Sequence, residues 1–137
     1  MENTLIIVPT YNEIENIESL IEAVLKNDWP LDLLVVDDQS PDGTAAAVIR
    51  KMKNFPKRLF LESRANKKGL GTAYVHGFKW ALRREYQYVF EMDADFSHDP
   101  KELMPMLELL EQGTDLVIGS RYVKRLNTAV AAKIVFC

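Results

Sequence analysis

The sequence has a single cysteine, Cys137, so no intrachain disulfide can staple the fold, and a reducing, cytoplasmic compartment fits. It also lacks any apolar run near the roughly 18 residues that a membrane span needs. Met1-Glu2-Asn3 lacks the basic segment that opens a secretion signal. Neither a transmembrane nor a secreted chain is expected, while association with a membrane surface, which needs only a local apolar or basic face, stays open. An excess of one charge is missing too. Lys plus Arg number 17 and Asp plus Glu 20, a net charge of −3 that offers no footprint for a nucleic-acid backbone. No repeat, low-complexity stretch or interdomain linker breaks the chain. Its two histidines, His76 and His98, are not at metal-ligand spacing with each other or with cysteine.

What is there is an ordinary globular composition, 47% hydrophobic and 27% charged over 137 residues, enough for one domain and too little for two cores. Short apolar runs recur: Leu5-Ile6-Ile7-Val8, Leu33-Leu34-Val35-Val36, Leu59-Phe60-Leu61, Tyr88-Val89-Phe90 and Leu116-Val117-Ile118. They are continuous and not alternating, as strands buried on both faces should be. Helical periodicity lies between them, clearest in Ile14, Ile17, Leu20, Ile21, Val24 and Leu25. Asn12 is the expected N-cap of that helix, with Glu15 placed for a capping box. Asp99-Pro100-Lys101-Glu102 reads as a second helix start, with Gly113 as its stop. Strand and helix therefore alternate, which predicts an α/β fold with a mainly parallel sheet and helices on both faces. The tail, Thr128 to Cys137, is expected to form at most a short helix.

Ligands of open parallel sheets bind beyond the carboxyl ends of the strands, and the polar residues gather there. The first strand runs into Pro9-Thr10-Tyr11-Asn12-Glu13, the second into Asp37-Asp38-Gln39-Ser40-Pro41-Asp42-Gly43-Thr44, the fourth into Glu91-Met92-Asp93-Ala94-Asp95-Phe96-Ser97. Taken singly, each piece has a plain structural reading: Asp42-Gly43 as a turn, Asp38 or Ser40 as a helix cap, Glu13 as a helix-dipole partner. Asp93 and Asp95 together fit that reading poorly, because converging like charges repel unless protonated or neutralised by a cation. Oxygen ligands without His or Cys point to a hard ion, Mg²⁺ or Mn²⁺, bridging to substrate phosphates. Gly69-Leu70-Gly71 is not a dinucleotide fingerprint, since Tyr74 holds the third glycine position, and it reads as a loop entering a helix. Lys67-Lys68 and Arg83-Arg84 read as solvated surface, and His98 as a neighbour of the acidic pair. Arg121, after Gly119-Ser120, is placed either to meet a phosphate or to form an ion pair.

In order and wording these stretches resemble the family-2 glycosyltransferases of the GT-A fold, and among them the polyprenol-phosphate (dolichol-phosphate) mannosyltransferases. The matching residues are Ile7 to Glu13, Val36 to Thr44, Gly69 to Tyr74 through Phe78, Glu91 to His98 and Gly119 to Tyr122. The resemblance implies a Rossmann-like nucleotide-sugar fold and an inverting transfer of mannose from GDP-mannose to a polyprenyl (dolichyl) phosphate. It implies that Pro9, Tyr11, Glu13, Val36 and Asp38 hold the nucleoside, and that Asp93, Ala94 and Asp95 contact a metal-bound diphosphate. Ser97 would complete the metal shell, Arg121 would contact the sugar nucleotide or the acceptor phosphate, and the enzyme would work at the cytoplasmic face of a membrane. The likeness stops after Val123. The expected organisation is a donor-binding domain over 1–123 and an atypical short tail over 124–137 where relatives carry their acceptor region, as in a truncated product.

Three other readings compete. UDP-glucose could replace GDP-mannose on the same fold, or the chain could be a non-catalytic nucleotide-binding fragment. A phosphoryl-switch receiver would also use an acidic strand such as Leu34-Val35-Val36-Asp37-Asp38. A receiver opens with that strand, however, whereas here a full strand and helix precede it.

Overall fold

A computed structural model describes residues 4–65, 70–84, 86–97, 99–112, 116–118 and 134–136. The elements are β1 (Thr4–Thr10), α1 (Ile17–Leu25), β2 (Leu31–Asp37), α2 (Thr44–Met52), β3 (Leu59–Ser63), α3 (Leu70–Leu82) and β4 (Tyr88–Glu91). A 3₁₀ turn (Pro100–Glu102) then leads into α4 (Leu103–Glu111), followed by β5 (Leu116–Ile118) and β6 (Ile134–Phe136). All five apolar runs are strands. The sheet is six-stranded in the order β3-β2-β1-β4-β6-β5, and every described pairing is parallel.

Alternation along the strands divides the core between the two faces. Ile6, Val8, Leu33 and Val35 pack with Ile17, Leu20, Ile21 and Val24 of α1, Val48 of α2 and Leu103 and Leu107 of α4. Leu5, Ile7, Leu34 and Val36 face the other way, onto Ala73, Trp80 and Ala81 of α3. Each fully buried Leu, Ile or Val contributes on the order of 1.5–3 kcal/mol, so these rows hold both layers to the sheet. Helix α3 also comes unusually close. A Cβ at Gly77 would lie 2.7 Å from Ile7 Cγ2 and 2.8 Å from Ile7 Cδ1, so only glycine lets the helix seat on β1 at that point.

The sequence misplaces some boundaries. Asn12 does not cap α1: its backbone is left-handed (φ 56°), its N–H donates to Ser40 Oγ at 2.9 Å, and the residue ahead of the helix is Asn16, without a side-chain cap. Ile14 accordingly lies outside the helix and is part-exposed, while Ile17 to Leu25 keep the expected apolar face. Asp99 does cap, its side chain accepting from Lys101 N at 3.0 Å with Pro100 behind it, although the first turn is 3₁₀. Helix α3 begins at Leu70, so Gly71 belongs to it and not to the preceding loop. The tail supplies a strand, not a helix. Ile134-Val135-Phe136 are β-branched and aromatic residues suited to a pleated surface, and they pair between β4 and β5. Gly113 lies outside the described residues.

Strands β2 and β3 lie to one side of β1 and β4 to the other, so the strand order reverses between β1 and β4. Open α/β sheets form their ligand crevice beyond the carboxyl ends at such a reversal. Strand β4 ends at Glu91, level with Ile7, while β1 and β2 run on together to Thr10 and Asp37. Among the described residues no helix is long and apolar enough to cross a membrane.

Candidate active site

The two loops that follow β1 and β2 are stitched together by side chains. Asp37, only 1% exposed, accepts from Thr10 Oγ1 at 2.7 Å and Ser40 Oγ at 2.6 Å, and from Ser40 N at 3.0 Å. Asp42 accepts from Ile14 N at 3.1 Å and Thr44 N at 3.0 Å, and Thr44 Oγ1 in turn accepts from Glu13 N at 3.1 Å. Its slight desolvation is outweighed by these hydrogen bonds, which hold its carboxyl below the usual range. Asp37, Ser40, Asp42 and Thr44 therefore act as braces; neither Ser40 nor Asp38 caps a helix as their plain reading has it, the residue ahead of α2 being Gly43. Gly43, at φ 91°, supplies the left-handed turn that the Asp42-Gly43 pair implied.

The neighbouring Asp38 behaves differently. Its carboxylate is 6% exposed in the fold and is gripped by Arg64, Nε to Oδ1 at 2.5 Å and Nη2 to Oδ2 at 2.6 Å. Arg64, itself buried, also donates to Thr72 Oγ1 at 2.9 Å, and its N–H meets Asp37 O at 2.8 Å. One guanidinium thus ties the ends of β2 and β3 to the first turn of α3. The sequence reading missed Arg64. The available signal was its place immediately after β3, at the same edge as the other polar residues.

Along β4 and its loop, Asp93 is half-buried and accepts from Tyr74 OH of α3 at 3.0 Å. Asp95 is exposed, and its Oδ1 accepts from Ser97 N at 2.9 Å across Phe96, whose backbone is left-handed at φ 61°. Glu91 is buried, and burial, then the charge of Asp93, pushes its carboxyl up to about 7. The charge of Asp93 is thus felt at the neighbouring Glu91. Hard oxygen donors in such a field suit a divalent ion. Among the described residues no three His, Cys, Asp or Glu side chains are gathered as a metal cluster. An ion at Asp93 and Asp95 would draw its remaining ligands from a hydroxyl such as Ser97, from water or from phosphate oxygens.

The other expected site residues divide by burial. Pro9 and Glu13 are half-buried, and Tyr11 is 39% exposed beside them on the β1 side. Val36 is wholly enclosed in the α3-side core and Ala94 is buried, so neither offers a side-chain surface. His76 lies on α3, with Nε2 at 3.3 Å from Glu62 Oε1. Arg84 is more than solvated surface, its guanidinium lying 3.8 Å over the Trp80 ring. Lys67, Lys68, Gly69, His98, Gly119, Ser120 and Arg121 lie outside the described residues.

Comparison with known proteins gives a consistent result. Residues 5–134 match the model of glycosyl transferase family 2. The chain is 48% identical over 122 residues to the polyprenol monophosphomannose synthase of Mycolicibacterium smegmatis, covering 89% of this chain and 46% of that protein. It is 42% identical over 134 residues to the undecaprenyl-phosphate mannosyltransferase of Micrococcus luteus, covering 96% and 54%. It therefore spans about half the length of these curated relatives. Among solved structures it is similar to a mannosyltransferase from Pyrobaculum calidifontis in complex with GDP-Man and Mn²⁺, with a TM-score of 0.67 and 29% identity over 86% of this chain and 35% of that one.

Proposed function

The chain belongs to glycosyl transferase family 2, and on that premise we propose that it carries the donor-binding part of an inverting mannosyltransferase that moves mannose from GDP-mannose to the phosphate of a polyprenol. The observation that carries this reading is that Asp93 and Asp95 stand together in the loop that follows β4, beside the strand-order reversal at the carboxyl edge. The relatives' shared acceptor class, a polyprenyl phosphate, and the GDP-Man and Mn²⁺ bound by the structural neighbour support it.

In this reading residues 1–123 hold the donor. Pro9, Tyr11 and Glu13 after β1, with Asp38 and the main chain at Val36 after β2, take the nucleoside. Asp38 is held rigid by Arg64, so its orientation needs no reorganisation on binding. Asp93, the main chain at Ala94 and Asp95 take the metal-bound diphosphate, with Ser97 as a further ligand and Arg121 assigned to phosphate by its motif. When bound, Mg²⁺ or Mn²⁺ supplies Lewis-acid stabilisation of the departing diphosphate. The acceptor requires no protein base, because a phosphomonoester, with a second pKa of about 6, is already largely dianionic near pH 7. The remaining task is to orient two anionic substrates. A lipid acceptor calls for peripheral association with a membrane, and this reading assigns it to the cytoplasmic face.

The test is calorimetric titration of GDP-mannose and of UDP-glucose into the chain, each with EDTA and with Mn²⁺. The expected result is preferential GDP-mannose binding that strengthens with metal. Preference for UDP-glucose would change the donor, and binding indifferent to metal would remove the cation from the site.

A further inference from the structure

Tyr74 occupies the position where a dinucleotide fingerprint would need glycine, and its hydroxyl is used. Helix α3 runs back along the sheet with its first turns at the carboxyl edge, and Gly77 fixes its distance from β1 by seating directly on Ile7. Ile7 is level with Glu91, the last residue of β4. Tyr74 lies three residues before Gly77, on the same helix face and about 4.5 Å nearer the carboxyl edge. Asp93 lies two residues beyond Glu91, about 6.6 Å further along if extended. The two displacements bring the phenol to the carboxylate, and Tyr74 OH donates to Asp93 Oδ1 at 3.0 Å while its ring packs against the Ile7 and Val36 core.

We infer that Tyr74 is a positioning residue, whose hydroxyl fixes the Asp93 carboxylate in the orientation in which it serves the metal-bound diphosphate of the donor. This inference rests on the proposed roles of Asp93 and Asp95. A carboxylate turns about its terminal bond with little restraint, and a hydrogen bond to one oxygen selects one orientation. The layer that carries no expected ligand residue, α3, would thereby set the geometry of one that does.

The test compares the parent chain with Tyr74→Phe, which keeps the ring and removes the hydroxyl, by titrating GDP-mannose with EDTA and with Mn²⁺. The expected metal-free affinity is within about twofold of the parent, and the Mn²⁺-dependent gain falls roughly three- to tenfold, the worth of one such hydrogen bond. In an Asp93→Asn background the Tyr74 substitution should add nothing, because it acts through Asp93. Melting temperatures are recorded alongside, and Tyr74→Leu, lacking ring and hydroxyl, should show at least the same loss of the metal gain. An unchanged gain in Tyr74→Phe, with a normal gain in the parent, overturns the positioning role alone. Absence of any gain in the parent overturns the metal reading beneath it.

Discussion

Arg64 and Asp38 form a two-pronged ion pair across 26 residues of sequence, with contacts of 2.5 Å and 2.6 Å, and both are almost out of water. Removing one partner of such a pair leaves a buried charge without compensation, which costs about 3–5 kcal/mol. Arg64→Ala should therefore lower stability by that order in urea unfolding. Arg64→Lys should rescue little of it, since an ammonium cannot reproduce the planar fork. Asp38→Ala should weaken GDP-mannose binding equally with and without metal, and unchanged binding would remove Asp38 from the nucleoside site.

The seat of α3 on β1 gives a second prediction. Gly77→Ala puts a methyl within 2.7 Å of Ile7 Cγ2 and should destabilise the fold by about 1–3 kcal/mol through overpacking. Ile7→Ala alone should also destabilise, by about 2–5 kcal/mol, through the cavity it leaves. The double variant should be less damaged than the sum of the two, because the new methyl fills part of that cavity. Strict additivity in chemical denaturation would mean that the two residues do not meet.

A third prediction concerns pH. Tyr86 OH donates to Asp32 Oδ2 at 2.6 Å, and burial, then that hydrogen bond and the Asp32 charge, raise its ionisation above the ordinary 10. A raised folded value means that this contribution to stability is complete below about pH 10, where the unfolded tyrosine begins to ionise. It is lost as pH climbs toward the folded value. Tyr86→Phe should therefore be less stable than the parent at neutral pH and should lose less stability between pH 9 and 11. Parallel loss in both proteins, followed by denaturant melts, would show that Tyr86 does not titrate differently on folding.

Much of the fold was legible because continuous apolar runs bounded by turn residues can hardly be anything but buried strands. Leu5 to Val8 and Leu33 to Val36 are buried strands of a parallel sheet as expected, and they lie side by side. Strand β6 was not legible, since a three-residue run acquires meaning only through its neighbours β4 and β5. The cap at Asn12 failed for a similar reason: the local pattern fits a cap, but Ser40, 28 residues away, takes its N–H. In the site, the sequence marks which carboxylates reach the carboxyl edge, but not how they are held. Asp37 and Asp38 are adjacent and chemically identical, yet one is a brace to Thr10 and Ser40 and the other the partner of Arg64. Period-two alternation could have predicted that they point apart. Nothing local could have paired Tyr74 with Asp93.

The central claim is that Asp95 and Asp93 attach the donor's diphosphate through a divalent ion, and Asp95→Asn tests it most directly, because it keeps the shape and removes the charge. If Asp95 were only the acceptor of the Ser97 N–H turn, its weakening would cost about 1 kcal/mol of stability and leave metal dependence alone. The decisive measurement is calorimetry of GDP-mannose binding to parent and variant, with EDTA and with Mn²⁺, beside a thermal melt of the ligand-free proteins. The expected result is loss of the Mn²⁺-dependent gain in affinity, metal-free affinity near that of the parent, and a melting temperature unchanged or raised as repulsion between the two aspartates is relieved. A destabilised variant that keeps its full Mn²⁺-dependent gain would contradict it.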